Sequence, residues 1–318
     1  MKFKLLLLCE SKSPGLHSHI KSISLYFSNK QSVKIIYKIS NTGSLKFFLS
    51  SLEYIFKEKC VVMIYSIGFF SIIILIISKI ANIKTYYYCH EPGDFKYYNF
   101  RNSWFKSIIL LSLNYILIKI CKEVVIPNKN YKSLYGKTTL YCPLQSNIVD
   151  FVSVINGSKV YDIGYLGTIS KERGLSSSNF LSYSIGVLSN QKFNYKLPSN
   201  VEILSQLKFS DAKKNHFLKS CSVIFNLRDQ PYNQSGVTME CLMSGVPVLT
   251  TTFDYYVSTY FSDLLPQILP AEINNISDEI IKQLVEMDSE LKIQIALRAK
   301  SIFYNYPSNF FINLLENN

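Results

Sequence analysis

Short runs that are apolar at every position alternate along this chain with longer stretches in which apolar residues recur every three or four positions. The first kind predicts strands buried on both faces and the second predicts helices. Lys4–Cys9 is such a strand, followed by a loop with Pro14 and Gly15 and a helix to about Phe27. Val33–Ile39 alternates like a strand, and Leu45–Phe56 has helical spacing. Val61–Ser66, Thr85–Cys89 and Glu123–Ile126 read as further strands with helices between them. Fully apolar strands alternating with helices indicate a parallel sheet covered on both sides, the pattern of a Rossmann-like α/β domain.

Around residues 143–160 the rhythm lapses into CPLQSNIVDFVSVINGSK, which marks a linker. A second series then begins. Tyr161–Leu166, Ser182–Leu188, Val201–Ser205, Val223–Leu227 and Pro247–Thr251 are its predicted strands. Asp211–Lys219, Gly236–Ser244, Ser277–Met287 and Glu290–Tyr304 are its predicted helices. The expected organisation is therefore two α/β domains, 1–150 and 151–302, with a ligand cleft between the C-terminal ends of their sheets.

Two stretches are apolar enough to raise the question of a membrane span. Val61–Ser78 is an uncharged run of spanning length. Its β-branched start and Gly68 instead predict a buried strand followed by a buried helix to Ile80. Ser107–Ile120 reads as a mostly buried helix. The start MKFKLLLLCE lacks the apolar length and cleavage site of a signal peptide.

Composition narrows the classes. Of 318 residues 48% are hydrophobic and only 18% charged, which excludes a disordered chain. The seven cysteines form no CxxC pair and mostly lie in apolar runs, as thiols do when they fill cores in a reducing compartment. The net charge of +12 is unevenly placed. Residues 1–140 carry 20 basic and 6 acidic side chains, whereas 141–318 carry 14 and 16. A basic first half points to an anionic partner such as a membrane surface. Nucleic acid is disfavoured, because the lysines are scattered and no nucleic-acid-binding motif is present.

Candidate chemistry concentrates in NLRDQPYNQSGVTMECLMSGVPVLTT, residues 226–251. The order is strand, polar loop, helix, small turn, strand. Asn233, Gln234, Ser235 and Gly236 fall at the helix N-terminus, where free N–H groups and the helix dipole suit a diphosphate. Glu240 follows one turn later, where a carboxylate accepts from ribose hydroxyls. Gly245 and Pro247 return the chain to the sheet.

This segment resembles the donor-binding segment of the GT-B glycosyltransferases, in particular the family-4-like enzymes (glycosyltransferase group 1) of bacterial surface-polysaccharide assembly. That signature runs Glu, seven residues, Glu, then Ala-Met-small-Gly-x-Pro-Val; here it reads ECLMSGVPVLTT, with Glu240 at the second Glu and Tyr232 in place of the first. In GYLGTISKERGL, residues 164–175, Arg173-Gly174 stands where the family has Lys-Gly, Lys171 is close by, and Thr168 occupies the region of a usual Arg. The resemblance implies that Lys171, Arg173 and Arg228 neutralise the departing diphosphate. Taken alone, Lys171 and Arg173 read equally well as a solvated loop. In ESKSPGLHSHI, Gly15 matches the family's turn after the first strand, with His17 and His19 beside it as acceptor-side groups or plain surface histidines. In YYYCHEPGDF, His90 matches the family's strand-end His near the transferred sugar, with the carboxylates Glu91 and Asp94 nearby.

No GxSxG, HExxH, Walker A or initial GxGxxG sequence is present. The resemblance implies a two-domain GT-B fold, with 303–318 packing back on the first domain. It also implies transfer, with retention, of a sugar from a nucleotide-sugar donor to a lipid-linked or oligosaccharide acceptor, without a metal or other cofactor. The expected place is the cytoplasmic face of the membrane, bound peripherally through the basic half. Tyr232 and Thr168 keep a non-catalytic GT-B partner in view, and a nucleotide-sugar epimerase of the same fold is the third reading.

Overall fold

A computed structural model describes residues 3–10, 14–28, 33–39, 45–58, 60–90, 103–147, 150–167, 182–190, 192, 199–206, 209–228 and 235–316. The chain divides into two compact units. One joins Met1–Asn147 to Ile302–Asn318, and the other is Ile148–Ser301.

The first unit runs β1 (Phe3–Cys9), α1 (Pro14–Ser28), β2 (Val33–Ile39), α2 (Leu45–Glu58), β3 (Val61–Ile64), α3 (Phe69–Ile80), β4 (Thr85–Tyr88), α4 (Trp104–Ile120), β5 (Glu123–Ile126), β6 (Ser133–Leu134) and β7 (Lys137–Tyr141). The sheet order is β2-β1-β3-β4-β5-β7-β6. Every pairing is parallel except β6 with β7. The central strands are apolar because helices cover both faces: Leu5 to Leu8 and Val62 to Ile64 are fully buried. The β6–β7 hairpin was not expected. It turns through Tyr135 and Gly136, both at positive φ (49° and 78°), a geometry an aromatic residue rarely adopts.

The strand order reverses between β1 and β3, the position at which open α/β sheets form a crevice. Here a carboxylate of the chain itself occupies it. Glu10, just past β1, accepts from the Ser71 N–H (2.9 Å), the Ser71 hydroxyl (3.0 Å) and the Phe70 N–H (3.4 Å) at the start of α3. Its own N–H donates to Ser66 Oγ at 2.6 Å. Gly68 leaves the room for this arrangement, since a Cβ there would lie 2.1 Å from Glu10 Oε2.

The expectation of two buried helices needs correction. On α3, Ser71 and Ser78 are buried while Phe69, Ile76 and Ile80 are exposed. On α4, Ser107 and Asn114 are buried while Trp104, Phe105, Ile108, Ile109, Tyr115 and Ile116 are exposed. A helix that is apolar all round carries no signal of which side faces the core.

The second unit runs α5 (Phe151–Ile155), β8 (Tyr161–Gly167), β9 (Ile185–Ser189), β10 (Val201–Gln206), α6 (Asp211–Ser220), β11 (Cys221–Phe225), α7 (Gly236–Met243), β12 (Val248–Thr251), α8 (Tyr255–Tyr260), β13 (Gln267–Ile268), α9 (Asp278–Val285) and α10 (Ser289–Lys300). Its order, β10-β9-β8-β11-β12-β13, is the dinucleotide-fold order with the reversal between β8 and β11. Phe151–Ile155 falls where the sequence reads as linker, and forms a short helix capped by Asp150. Beyond α10 a π-helical turn, Ser301–Asn305, leads into α11 (Tyr306–Glu316), which belongs to the first unit. Phe303, Phe311 and Leu315 are buried there, and the Ser146 N–H donates to the Phe303 carbonyl at 2.9 Å. All seven cysteines are buried and unbridged.

Candidate functional site

In the second unit, the N-terminus of α7 stands at the strand reversal. Gly167 ends β8 at φ +93°, and a Cβ on it would lie 3.3 Å from Val237 in the first turn of α7. Glycine thus lets the end of β8 approach the start of that helix closely. Ser235 is the N-cap, its hydroxyl accepting from the Thr238 N–H at 3.3 Å. Gly236 follows, and nothing among the described residues lies within 4 Å of where its Cβ would be.

A buried chain of hydrogen bonds holds this helix start in place. Asn226, the first residue past β11, donates from Nδ2 to Ser235 Oγ (2.8 Å) and Thr238 Oγ1 (2.9 Å). The Thr238 hydroxyl donates to Asp254 Oδ2 at 2.6 Å. Asp254 Oδ1 in turn accepts from the Tyr256 and Val257 N–H groups and so caps α8. Burial pushes the Asp254 carboxyl up, while the Thr238 hydroxyl, the α8 amides and the charge of half-buried Arg228 pull it partly back. Ser235 Oγ accepts two hydrogen bonds and donates its own proton to none of the described residues. Asn226, Thr238 and Asp254 were missed in the sequence, where they lie 12 and 16 residues apart along the chain of bonds.

Glu240 lies one turn into α7, and its Oε1 accepts from Lys214 Nζ of α6 at 2.8 Å. Both side chains are largely buried, at 24% and 17% exposure. Burial lowers the Lys214 ammonium, but Glu240 and Asp211 outweigh it and the net shift is upward. One carboxylate oxygen of Glu240 is thus fixed, and the other has no hydrogen bond among the described residues. Lys214 had no motif to reveal it.

The first unit gathers a second polar group at its strand ends. His19, expected to be accessible, is 3% exposed inside α1. Its Nδ1 lies 2.7 Å from the Gln145 backbone nitrogen and 3.1 Å from the Gln145 carbonyl oxygen, to which a ring N–H can donate. Its ring packs against Tyr65 and Tyr88, with centroids 5.4 and 5.3 Å away. Burial takes the imidazole down to about 3 against the raising effect of the Gln145 backbone, and the charge of His90 lowers it further. His90, half-buried two residues past β4, is therefore close to this cluster. Gln145 Nε2 donates to Ser308 of α11 at 3.3 Å. His19 Nε2, Tyr65 Oη and Gln145 Oε1 are buried without a partner among the described residues.

The remaining expected site residues are placed as follows. Gly15 and His17 stand in the first turns of α1, not in the loop that the resemblance implies for Gly15. Glu91, Asp94, Thr168, Lys171, Arg173, Tyr232, Asn233 and Gln234 lie outside the described residues. Among the described residues no three of His, Cys, Asp and Glu converge as metal ligands.

Solved structures resemble this chain over nearly its whole length. Sucrose-phosphate synthase from Thermosynechococcus elongatus aligns over 99% of this chain and 98% of its own, with a TM-score of 0.70 and 11% identity. Anabaena Alr3699/HepE in complex with UDP aligns over 99% and 100%, with a TM-score of 0.66 and 12% identity. The UDP-GlcNAc 2-epimerase from Neisseria meningitidis, bound to UDP-GlcNAc, aligns over the same shares at 0.60 and 13%. The fold is GT-B. At such identities the likeness carries the fold alone, and neither a family model nor a curated protein matches the chain.

Proposed function

We propose that this chain is a nucleotide-sugar enzyme, and specifically a glycosyltransferase. The observation that carries the reading is the start of α7. A Ser235-capped helix N-terminus, open at Gly236 and braced by buried Asn226, lies at the strand reversal one turn from a carboxylate with an oxygen to spare. Its amides and the unspent Ser235 proton would hold the diphosphate. Glu240 would accept from the ribose hydroxyls. Lys171 and Arg173, with Arg228, would compensate the charge that builds on the departing diphosphate. His90 would face the transferred sugar. The acceptor would be a lipid-linked or oligosaccharide hydroxyl, brought to the basic first unit at the inner face of a membrane. In this reading the anomeric configuration is retained and no bound metal takes part.

A nucleotide-sugar epimerase is the second reading, favoured by the fold shared with UDP-GlcNAc 2-epimerases from Neisseria meningitidis and, as a putative enzyme, Listeria monocytogenes. Two measurements separate the readings. UDP, GDP, CMP and dTDP are compared for thermal stabilisation of the wild type and of Glu240→Ala, with ligand at about a hundred times its Kd adding roughly 2.7 kcal/mol. UDP-sugars are then incubated with and without a crude lipid-linked acceptor fraction. Turnover only with acceptor supports the transferase, and isomerisation of the free nucleotide sugar the epimerase. No stabilisation of the folded protein by any nucleotide would overturn both.

A further inference from the structure

The outer faces of α3 and α4 are the opposite of what a water-soluble unit presents. Each helix buries serine or asparagine beside a few apolar residues (Ile74 and Leu75, Leu117 and Ile118) and leaves most of its other large apolar residues outward. On α4, Ser107 and Asn114 are 0% and 1% exposed, whereas Trp104 and Phe105 are 63% and 69% exposed. On neighbouring α3, Ser71 and Ser78 are fully buried, whereas Phe69 and Ile80 are 65% and 82% exposed. Three of the four inward polar groups are hydrogen-bonded: Asn114 Oδ1 accepts from Tyr87 Oη at 2.8 Å, the Ser71 hydroxyl donates to Glu10, and the Ser107 hydroxyl donates to the Ser103 carbonyl, while the Ser78 hydroxyl has no partner among the described residues. The buried polar positions are thus part of the packing of both helices, and the apolar residues they displace lie outside. An exposed apolar patch of this kind marks a surface that meets something apolar.

The charges on the same helices say what that is. Neither α3 nor α4 contains a single Asp or Glu, and both carry lysines at exposed positions: Lys79, Lys106 and Lys119. A second copy of this face would bring those lysines against each other. A face of Trp, Phe, Tyr and Ile whose own helices carry no charge but lysine is complementary to a surface that is apolar in depth and anionic at its edge, which is an acidic lipid bilayer. Neither helix crosses it. Twelve and 17 residues span about 18 and 25 Å against a hydrocarbon core of about 30 Å. No helix among the described residues is long and apolar enough to cross a membrane.

We infer that α3 and α4 together form a monotopic docking face, which lies in the headgroup region of an anionic membrane with Trp104, Phe105 and Phe69 reaching the acyl boundary. This deepens the membrane contact proposed above by giving it a location, and it is independent of whether the second unit binds a nucleotide.

Trp104 is the only tryptophan in the chain, so its fluorescence reports on this face alone. Full-length protein is titrated with vesicles of phosphatidylcholine and with vesicles containing a third phosphatidylglycerol, at low salt. With the anionic vesicles, the emission should shift to shorter wavelength, become quenchable by acyl-chain-brominated lipid, and the protein should co-sediment. Lys106→Gln with Lys119→Gln should weaken vesicle binding about fivefold per lysine and leave UDP-dependent thermal stabilisation intact. Phe105→Ser should abolish the blue shift with the fold retained by circular dichroism. An unchanged emission with the protein left in the supernatant would overturn the inference. So would a blue shift that appears with protein concentration alone, which would mean that a second copy covers the face. Loss of UDP stabilisation with vesicle binding kept would instead count only against the nucleotide-sugar reading.

Discussion

Lys214 Nζ donates to Glu240 Oε1 at 2.8 Å, from one helix of the second unit to the next. The pair holds the carboxylate at the start of α7 in one orientation, with its other oxygen bonded to none of the described residues. If that oxygen meets a ribose, Glu240→Gln should weaken UDP binding about tenfold to a hundredfold, the worth of a hydrogen bond to a charged group. Lys214→Met should weaken it less, because it loosens the carboxylate without removing it. Calorimetric titration measures both; equal affinity in wild type and Glu240→Gln would remove Glu240 from the site.

The Thr238 hydroxyl links Asn226 to the buried Asp254. Thr238→Val keeps the shape and removes both bonds, leaving a carboxylate and an amide short of partners. A loss of about 1–3 kcal/mol in urea unfolding is expected, with Thr238→Ser close to wild type. A neutral Thr238→Val would mean that the network does not hold α7 in place.

His19 predicts a pH dependence with a definite sign. Its imidazole is held at about 3 in the folded protein, against an ordinary value of 6.5. The unfolded chain takes up a proton below about 6.5 while the folded one does not, so this residue makes stability fall as the pH drops. The loss attributable to it is roughly 2 kcal/mol by pH 5. The difference between pH 7 and pH 5 should shrink in His19→Phe by that amount. An identical pH dependence in the two proteins would show that the imidazole is not buried as described.

Gly68→Ala tests the capping of α3. The added methyl would meet the Glu10 carboxylate, which must then leave the Ser71 and Phe70 amides. A cost of about 1–3 kcal/mol is expected from the displaced cap and the strain. Glu10→Ala in the Gly68→Ala background should cost little more, since the two changes remove the same interaction.

Strands were legible in the sequence wherever both faces are buried, because such runs have no polar position to obscure them. Glu123–Ile126, buried from Val124 to Ile126, falls at its expected limits, and so does Val33–Ile39, which was read from its alternation. The predicted strand Val223–Leu227 in fact begins two residues earlier, at Cys221, and ends at Phe225. Apolar Leu227 extended the pattern, while polar Asn226, which ends the strand, interrupted it only once. The Ser235–Gly236 start of α7 was visible as local chemistry. Lys214, Thr238 and Asp254 were not, since each matters through a partner at least 16 residues away. The outward faces of α3 and α4 were hidden for a different reason: periodicity reveals a side only when the two sides differ.

The first unit is completed by the end of the chain, since residues 302–318 supply α11 and bury Phe303 and Phe311 within it. During synthesis the second unit, Ile148–Ser301, is therefore the first to have all its parts. The strands of the first unit must wait, with part of their core uncovered, until the residues of α11 leave the ribosome. A stop shortly after α10 would leave one unit whole and the other open, so the damage from the truncation would appear in the unit whose strands were made first.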